Sequence, residues 1–135
     1  LTVNLPLPPG TTGDVVQEAF DRVAAPAIVE FEPTWVLVSA GFDAHRDHPL
    51  ADLGLSAGDF ARLAAAVAEL APPGRLLLHL EGGYDLRALR ASVAATLGAL
   101  LDLGIEPEPP TSGGTGRGHV DDIIARRHAA LGALR

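Results

Sequence analysis

The 135-residue chain contains no cysteine and no methionine, and all ten of its basic residues are arginine. Without cysteine it can form no disulfide scaffold, no thiolate zinc finger and no iron–sulfur site. Any metal here must be held by Asp, Glu or His. Positive charge is scarce: 10 basic residues stand against 17 acidic ones, a net charge of −7. A chain this acidic, with no basic stripe, is a poor partner for nucleic acid or an anionic membrane. No apolar run reaches the ~18 residues of a membrane span, and no basic segment precedes an apolar one in the manner of a secretion signal. A soluble, cytoplasmic protein is the default expectation. The missing methionine implies a piece of a longer protein or a processed product, because an initiator Met is normally removed only before a small residue and Leu1 is not small.

What is present points to a folded core. Apolar residues make up 47% of the chain, which excludes wholesale disorder, and the length fits one domain. Residues 1–13 alternate briefly and run into a Pro/Gly turn. Asp14, with Gln17 three residues on, reads as a capping box. Val16, Phe20, Val23 and Ala27 follow at helical spacing, and Pro26 should kink or end that helix. Trp35-Val36-Leu37-Val38-Ser39 is apolar and β-rich, and reads as a strand buried on both faces. Ser56 and Asp59 begin a helix with Phe60, Leu63, Ala64, Val67 and Leu70 on one side. Leu76–Leu80 reads as a second buried strand. Asp85 caps a third helix whose core face is Leu86, Leu89, Val93, Leu97 and Leu100. Helix, strand, helix, strand, helix is the order of an open parallel α/β sheet flanked by helices. Two strands make little sheet, which again suggests a missing N-terminal part. Residues 104–118, rich in Pro, Gly and Ser, read as a flexible linker. Residues 119–135 read as a terminal amphipathic helix carrying Val120, Ile123, Ile124, Arg127, Leu131 and Leu134, docked on the body or on a partner.

In open α/β sheets ligands bind beyond the carboxyl ends of the strands. Two loops qualify, Ser39 to Leu50 and Glu81 to Tyr84. Asp43 is a hard oxygen donor a few residues past a strand. Its alternative role is a turn former bonded to backbone amides. His45, Asp47 and His48 form a compact cluster, either a metal site using His45 and His48 or a solvated loop with salt bridges to Arg46; the lack of a regular element to present the His pair favours the second. Tyr84 follows two glycines, so a ligand can approach closely and its phenol can donate to a developing oxyanion; alternatively it covers the start of the third helix. His79, inside an apolar strand, reads as a core histidine. His119, Asp121 and Asp122 read as a helix start. No serine sits in a nucleophile elbow, so serine-hydrolase chemistry has no support.

Taken together, the run VLVSAGFDAHRDHPLADLGLS and the later LHLEGGYDL resemble the C-terminal part of the histone deacetylase superfamily. The likeness is to the class II-like group that includes bacterial acetylpolyamine deacetylases and acetoin-utilisation proteins. NLPLPPGTTGD resembles the segment before that strand, so the likeness covers about residues 3–101. It implies an arginase/deacetylase-like fold, with residues 1–103 as the C-terminal part of a catalytic domain, and a catalytic zinc. It also implies that Asp43 is one zinc ligand, that Tyr84 polarises the substrate carbonyl, that Gly82 and Gly83 line the acyl-chain tunnel and that Leu50 stands at its rim. The remaining ligands, an Asp-x-His pair, and the paired general-base histidines are expected upstream of this chain. His48 replaces an Asp common in relatives.

The expected function is therefore zinc-dependent hydrolysis of acetylated amines, with protein acetyl-lysine or acetylpolyamine as substrate and with this chain inactive in isolation. The alternative is a non-catalytic deacetylase-like fragment serving as an interaction module through residues 119–135. Upstream motifs discriminate the two. The sequence leaves a homo-oligomer open.

Overall fold

A computed structural model describes residues 2–132. Helix α1 (Gly13–Ala19) continues through a π-helical turn at Phe20–Ala24 into α2 (Ala25–Phe31). Strand β1 (Val36–Ala40), helix α3 (Ala57–Leu70), strand β2 (Leu76–Leu80), helix α4 (Leu86–Leu100) and helix α5 (Arg117–Gly132) follow. β1 and β2 pair in parallel, with Leu37 opposite Leu77 and Ser39 opposite His79. The order of elements is the one the sequence predicts.

Pro26 does not end the first helix. It lacks the N–H that would close the bond to the preceding turn, and the π-helical turn at Phe20–Ala24 directly precedes the segment that holds it. Such bulges let a helix absorb a local mismatch and continue. Nor does Asp14 cap the helix from outside. Thr12 is the cap residue and Asp14 lies in the first turn, where its carboxylate takes the Thr12 hydroxyl and the Arg117 guanidinium.

The two later helices begin as their sequences suggest. The Ser56 amide donates to Asp59 Oδ2 at 2.8 Å. Asp85 Oδ1 accepts the amides of Arg87 and Ala88 at 3.0 and 2.8 Å, satisfying two of the donors that every helix start leaves free. α3 turns Phe60, Leu63, Ala64 and Val67 of its predicted apolar side, all half-buried, toward the strands. α4 is rotated relative to expectation: Ala88, Ser92, Ala95, Thr96 and Gly98 are buried, while Leu86 and Leu97 are exposed. Small residues on that stripe allow α3 and α4 to pack closely against each other.

The strands are not buried on both faces. Burial alternates along β1, with Leu37 68% and Leu77 45% exposed. Val38, Leu76 and Leu78 share a lining with Phe60, Leu63 and Val67 of α3, so the helices cover that face alone. His79 lies on the other side and is exposed, which corrects its reading as a core histidine.

Val15, Ala19 and Val120 are fully buried together, with Leu5, Leu7 and Ile124 packed against them. This cluster docks α5 on α1, and the ion pairs of Arg117 to Asp14 and Glu18 (2.6 Å each) reinforce it. Leu134 lies outside the described residues. The segment expected as a flexible linker carries hydrogen bonds to the body: Pro109 O accepts the Ser56 hydroxyl at 2.7 Å, the Thr111 hydroxyl donates to Asp59 Oδ2 at 2.7 Å, and the Gly114 amide donates to Thr12 at 2.9 Å. Among the described residues no helix is long and apolar enough to cross a membrane.

Candidate active site

The two loops beyond the strand ends are stitched together. The Glu81 amide donates to Ala40 O at 3.1 Å, and the Phe42 amide donates to Gly82 O at 3.0 Å. Hydrogen bonding between the two chain segments thus continues past the named strands and fixes Glu81–Tyr84 beside Gly41–Asp43. Phe42 is buried and meets Phe60 of α3 edge-to-face, with ring centroids 5.0 Å apart. That anchor leaves the next side chain, Asp43, on the open side of the loop, 43% exposed.

Asp43 sits where two side chains are missing. A Cβ on Gly82 would overlap Asp43 Oδ2, and one on Gly41 would lie 3.0 Å from it. No real Cβ tolerates the first of these contacts. Gly82 therefore leaves the carboxylate room to lie against the chain, and a side chain there would displace it, while Gly83 is required by its backbone, at φ +127°. Tyr84 follows, with its side chain exposed. Leu50 is exposed farther along the first loop.

His48 links the two halves. Its side chain is 3% exposed, and its Nε2 lies 3.2 Å from Asp43 Oδ1. Its ring packs against that of Tyr84 at 5.6 Å between centroids. Its Nδ1 accepts the Leu50 amide at 3.2 Å. The structure thus brings Asp43, Gly82 and Gly83 directly together and places Tyr84 next to them across His48.

The favoured reading of His45 as part of a solvated loop does not hold. His45 is fully buried. Its Nδ1 accepts the Asp47 amide at 3.1 Å, and its Nε2 faces Glu108 Oε2 at 3.0 Å. Glu108 also accepts the Ala57 amide at 3.0 Å and lies 3.6 Å from Arg46. Burial pushes the Glu108 carboxyl up, but the Ala57 amide, the His45 ring and the Arg46 charge outweigh it and hold it below its ordinary value. His45, Asp47 and Glu108 approach one another as metal ligands could. However, both ring nitrogens of His45 already have partners, so the group serves as a hydrogen-bonded clamp on the loop. Glu108 was not legible as a site neighbour: it lies 63 residues from His45, in a Pro-rich stretch without a motif.

The donor set suits a divalent metal in part. A half-exposed carboxylate lying against two glycines is a hard oxygen ligand with room on its open side. One carboxylate is not a complete site.

Comparison with known proteins identifies the family and the fold. The histone deacetylase domain family matches residues 1–100. The chain is 48% identical over 103 residues to a protein called histone deacetylase 10, chloroplastic, of Oryza sativa subsp. japonica, covering 74% of this chain and 23% of that one. It is 38% identical over 115 residues to a probable deacetylase of Archaeoglobus fulgidus, covering 79% and 32%. Among solved structures it resembles the HDA15 HD domain, with a TM-score of 0.75 and 34% identity over 91% of this chain and 34% of that one. It also resembles the histone deacetylase Clr3, with a TM-score of 0.77 and 32% identity over 93% and 22%. The fold is that of deacetylase domains, an arginase/deacetylase-like arrangement of helices on a parallel sheet, represented here by two strands. The chain belongs to the histone deacetylase family. It spans about a quarter of the length of the first curated relatives it matches.

Proposed function

We propose that this chain forms part of a zinc-dependent deacetylase that hydrolyses acetylated amines, either acetyl-lysine in proteins or acetylpolyamines. The observation that carries the reading is the placement of Asp43 against Gly41 and Gly82, with Tyr84 across His48 from it, on two loops within the residues that match the family. Zinc bound there would supply a Lewis acid and a water of lowered pKa.

In this reading Asp43 offers a carboxylate oxygen as one ligand. Tyr84 stands exposed with its hydroxyl free to donate to the amide oxygen as charge gathers on it, a contribution of the order of 2.7–4 kcal/mol for one oxyanion donor. Gly82 and Gly83 leave room for an extended acyl-amine chain, and Leu50 lends it an apolar rim. The remaining ligands and the general base come from outside residues 1–135, so this chain alone releases no acetate.

The test is acetate release from acetyl-lysine peptides and acetylpolyamines by the protein in its longest expressed form, together with its zinc content. Tyr84→Phe is expected to lower kcat by about 10²–10³ while zinc content holds, and Asp43→Ala is expected to lose zinc. Acetate release by residues 1–135 alone, or a rate indifferent to Tyr84→Phe, would sink the reading.

A further inference from the structure

We propose that His48 is a positioning residue that donates a hydrogen bond from Nε2 to Asp43 and so fixes the carboxylate in its recess. The inference rests on the reading of Asp43 as a ligand only for its consequence, not for the contact itself.

The imidazole has two edges with different tasks. Nδ1 accepts the Leu50 amide, so it carries no proton, and the ring proton sits on Nε2. Nε2 is buried and makes no aligned hydrogen bond among the described residues. The carboxylate oxygen in its reach is Asp43 Oδ1, at 3.2 Å. A buried N–H without a partner costs enough that a small turn of the Asp43 carboxylate toward it is favoured. A separation of 3.2 Å would also suit two ligands on one tetrahedral ion, since bonds of about 2 Å set that spacing. The tautomer decides against that use: an Nε2 bearing a proton has no lone pair to give a metal. His48 therefore acts on Asp43, as outer-shell donors act on metal-ligating side chains. Its ring also lies tilted against that of Tyr84, at 51° between planes.

An Asp at this position could still accept the Leu50 amide, as short acidic side chains do in turns. It could not donate to Asp43. His48 thus combines the turn acceptor with a donor that an Asp would lack.

The two edges can be separated by substitution. Asn carries an acceptor at the reach of Nδ1, and Gln carries a donor at the reach of Nε2. The experiment uses the ¹⁵N-labelled 135-residue chain. Long-range ¹H–¹⁵N correlation is expected to show His48 protonated at Nε2, with that proton exchanging slowly in wild type and fast in Asp43→Ala. In the protein in its longest expressed form, which would carry the other ligands, zinc added alone should bind His48→Gln within about threefold of wild type and His48→Asn about tenfold more weakly or worse. Protonation at Nδ1, or exchange that ignores Asp43→Ala, overturns the proposal, as does equal zinc affinity in the Gln and Asn variants. Failure of that longer protein to bind zinc in wild type would count against the deacetylase reading instead. The tautomer and the exchange rates would still decide the role of His48.

Discussion

At the scale of single residues, Asp43 owes its place to what its neighbours lack. A Cβ on Gly82 would overlap the carboxylate, whereas one on Gly83 would meet Leu89 and Phe42 at 3.2 and 3.3 Å in a backbone at φ +127°. The two glycines therefore fail for different reasons when replaced. Gly82→Ala is expected to cost about 1–3 kcal/mol as an overpacking change, and most of that cost should vanish in an Asp43→Ala background because the overlapping atoms are gone. Gly83→Ala should cost about 1–3 kcal/mol through backbone strain, with little relief from Asp43→Ala. Urea unfolding of the three single and two double variants, beside wild type, measures both coupling energies. Equal coupling for the two glycines would contradict the assignment. The identity of these residues was legible from the glycine pair and its tyrosine. The role of His48 was not, because a contact made by folding a loop back on itself leaves no spacing to read.

At the scale of elements, the Pro-rich segment before α5 clamps the loop that carries the site. Glu108 reaches His45, Arg46 and the first amide of α3, and those partners hold its carboxyl low against the opposing effect of burial. The folded state then binds the Glu108 proton less readily than the unfolded chain does. The stability it contributes is complete above its unfolded pKa and is lost as pH falls through its lower folded value. The urea midpoint should accordingly hold near neutrality and fall below about pH 5. Glu108→Gln should lower the neutral midpoint and make the acid limb shallower. Some slope should persist, since Asp14 and Asp85 are also held low. Burial alone would raise Asp14, but the Thr12 hydroxyl and the Gly113 and Val15 amides, aided by Arg117, prevail; the Ala88 amide acts chiefly on Asp85. An unchanged limb in Glu108→Gln would assign the acid sensitivity elsewhere. Local signals served well here: the Ser56–Asp59 and Asp85 helix starts and both strands are written in adjacent residues. Long-range ones did not. Linker composition says nothing of the Ser56, Asp59 and His45 partners that hold residues 108–111. Leucine spacing likewise misjudged which stripe of α4 faces α3, because small residues permit the closer packing.

At the scale of the whole molecule, the apolar strands ask for more burial than this chain supplies. The sequence pattern of β1 and β2 suits a sheet covered on two sides, and the described residues cover one. Leu37 and Leu77 stand side by side in register on the other face, and Trp35, two residues before Leu37, is 54% exposed. Contiguous apolar surface of this kind drives association when nothing else covers it, and each parallel strand also has an unpaired edge that can template pairing. The 135-residue chain by itself should therefore associate as its concentration rises. Lysine at both Leu37 and Leu77 should shift it toward monomer, since charge on an exposed face opposes self-pairing and removes little from the core beneath α3 and α4. Light scattering across a concentration series, with circular dichroism to confirm retained structure, reads the outcome. Association that persists unchanged in the double variant would move the sticky surface to another part of the molecule. Loss of helix in that variant would show that the leucines support the core beneath them after all.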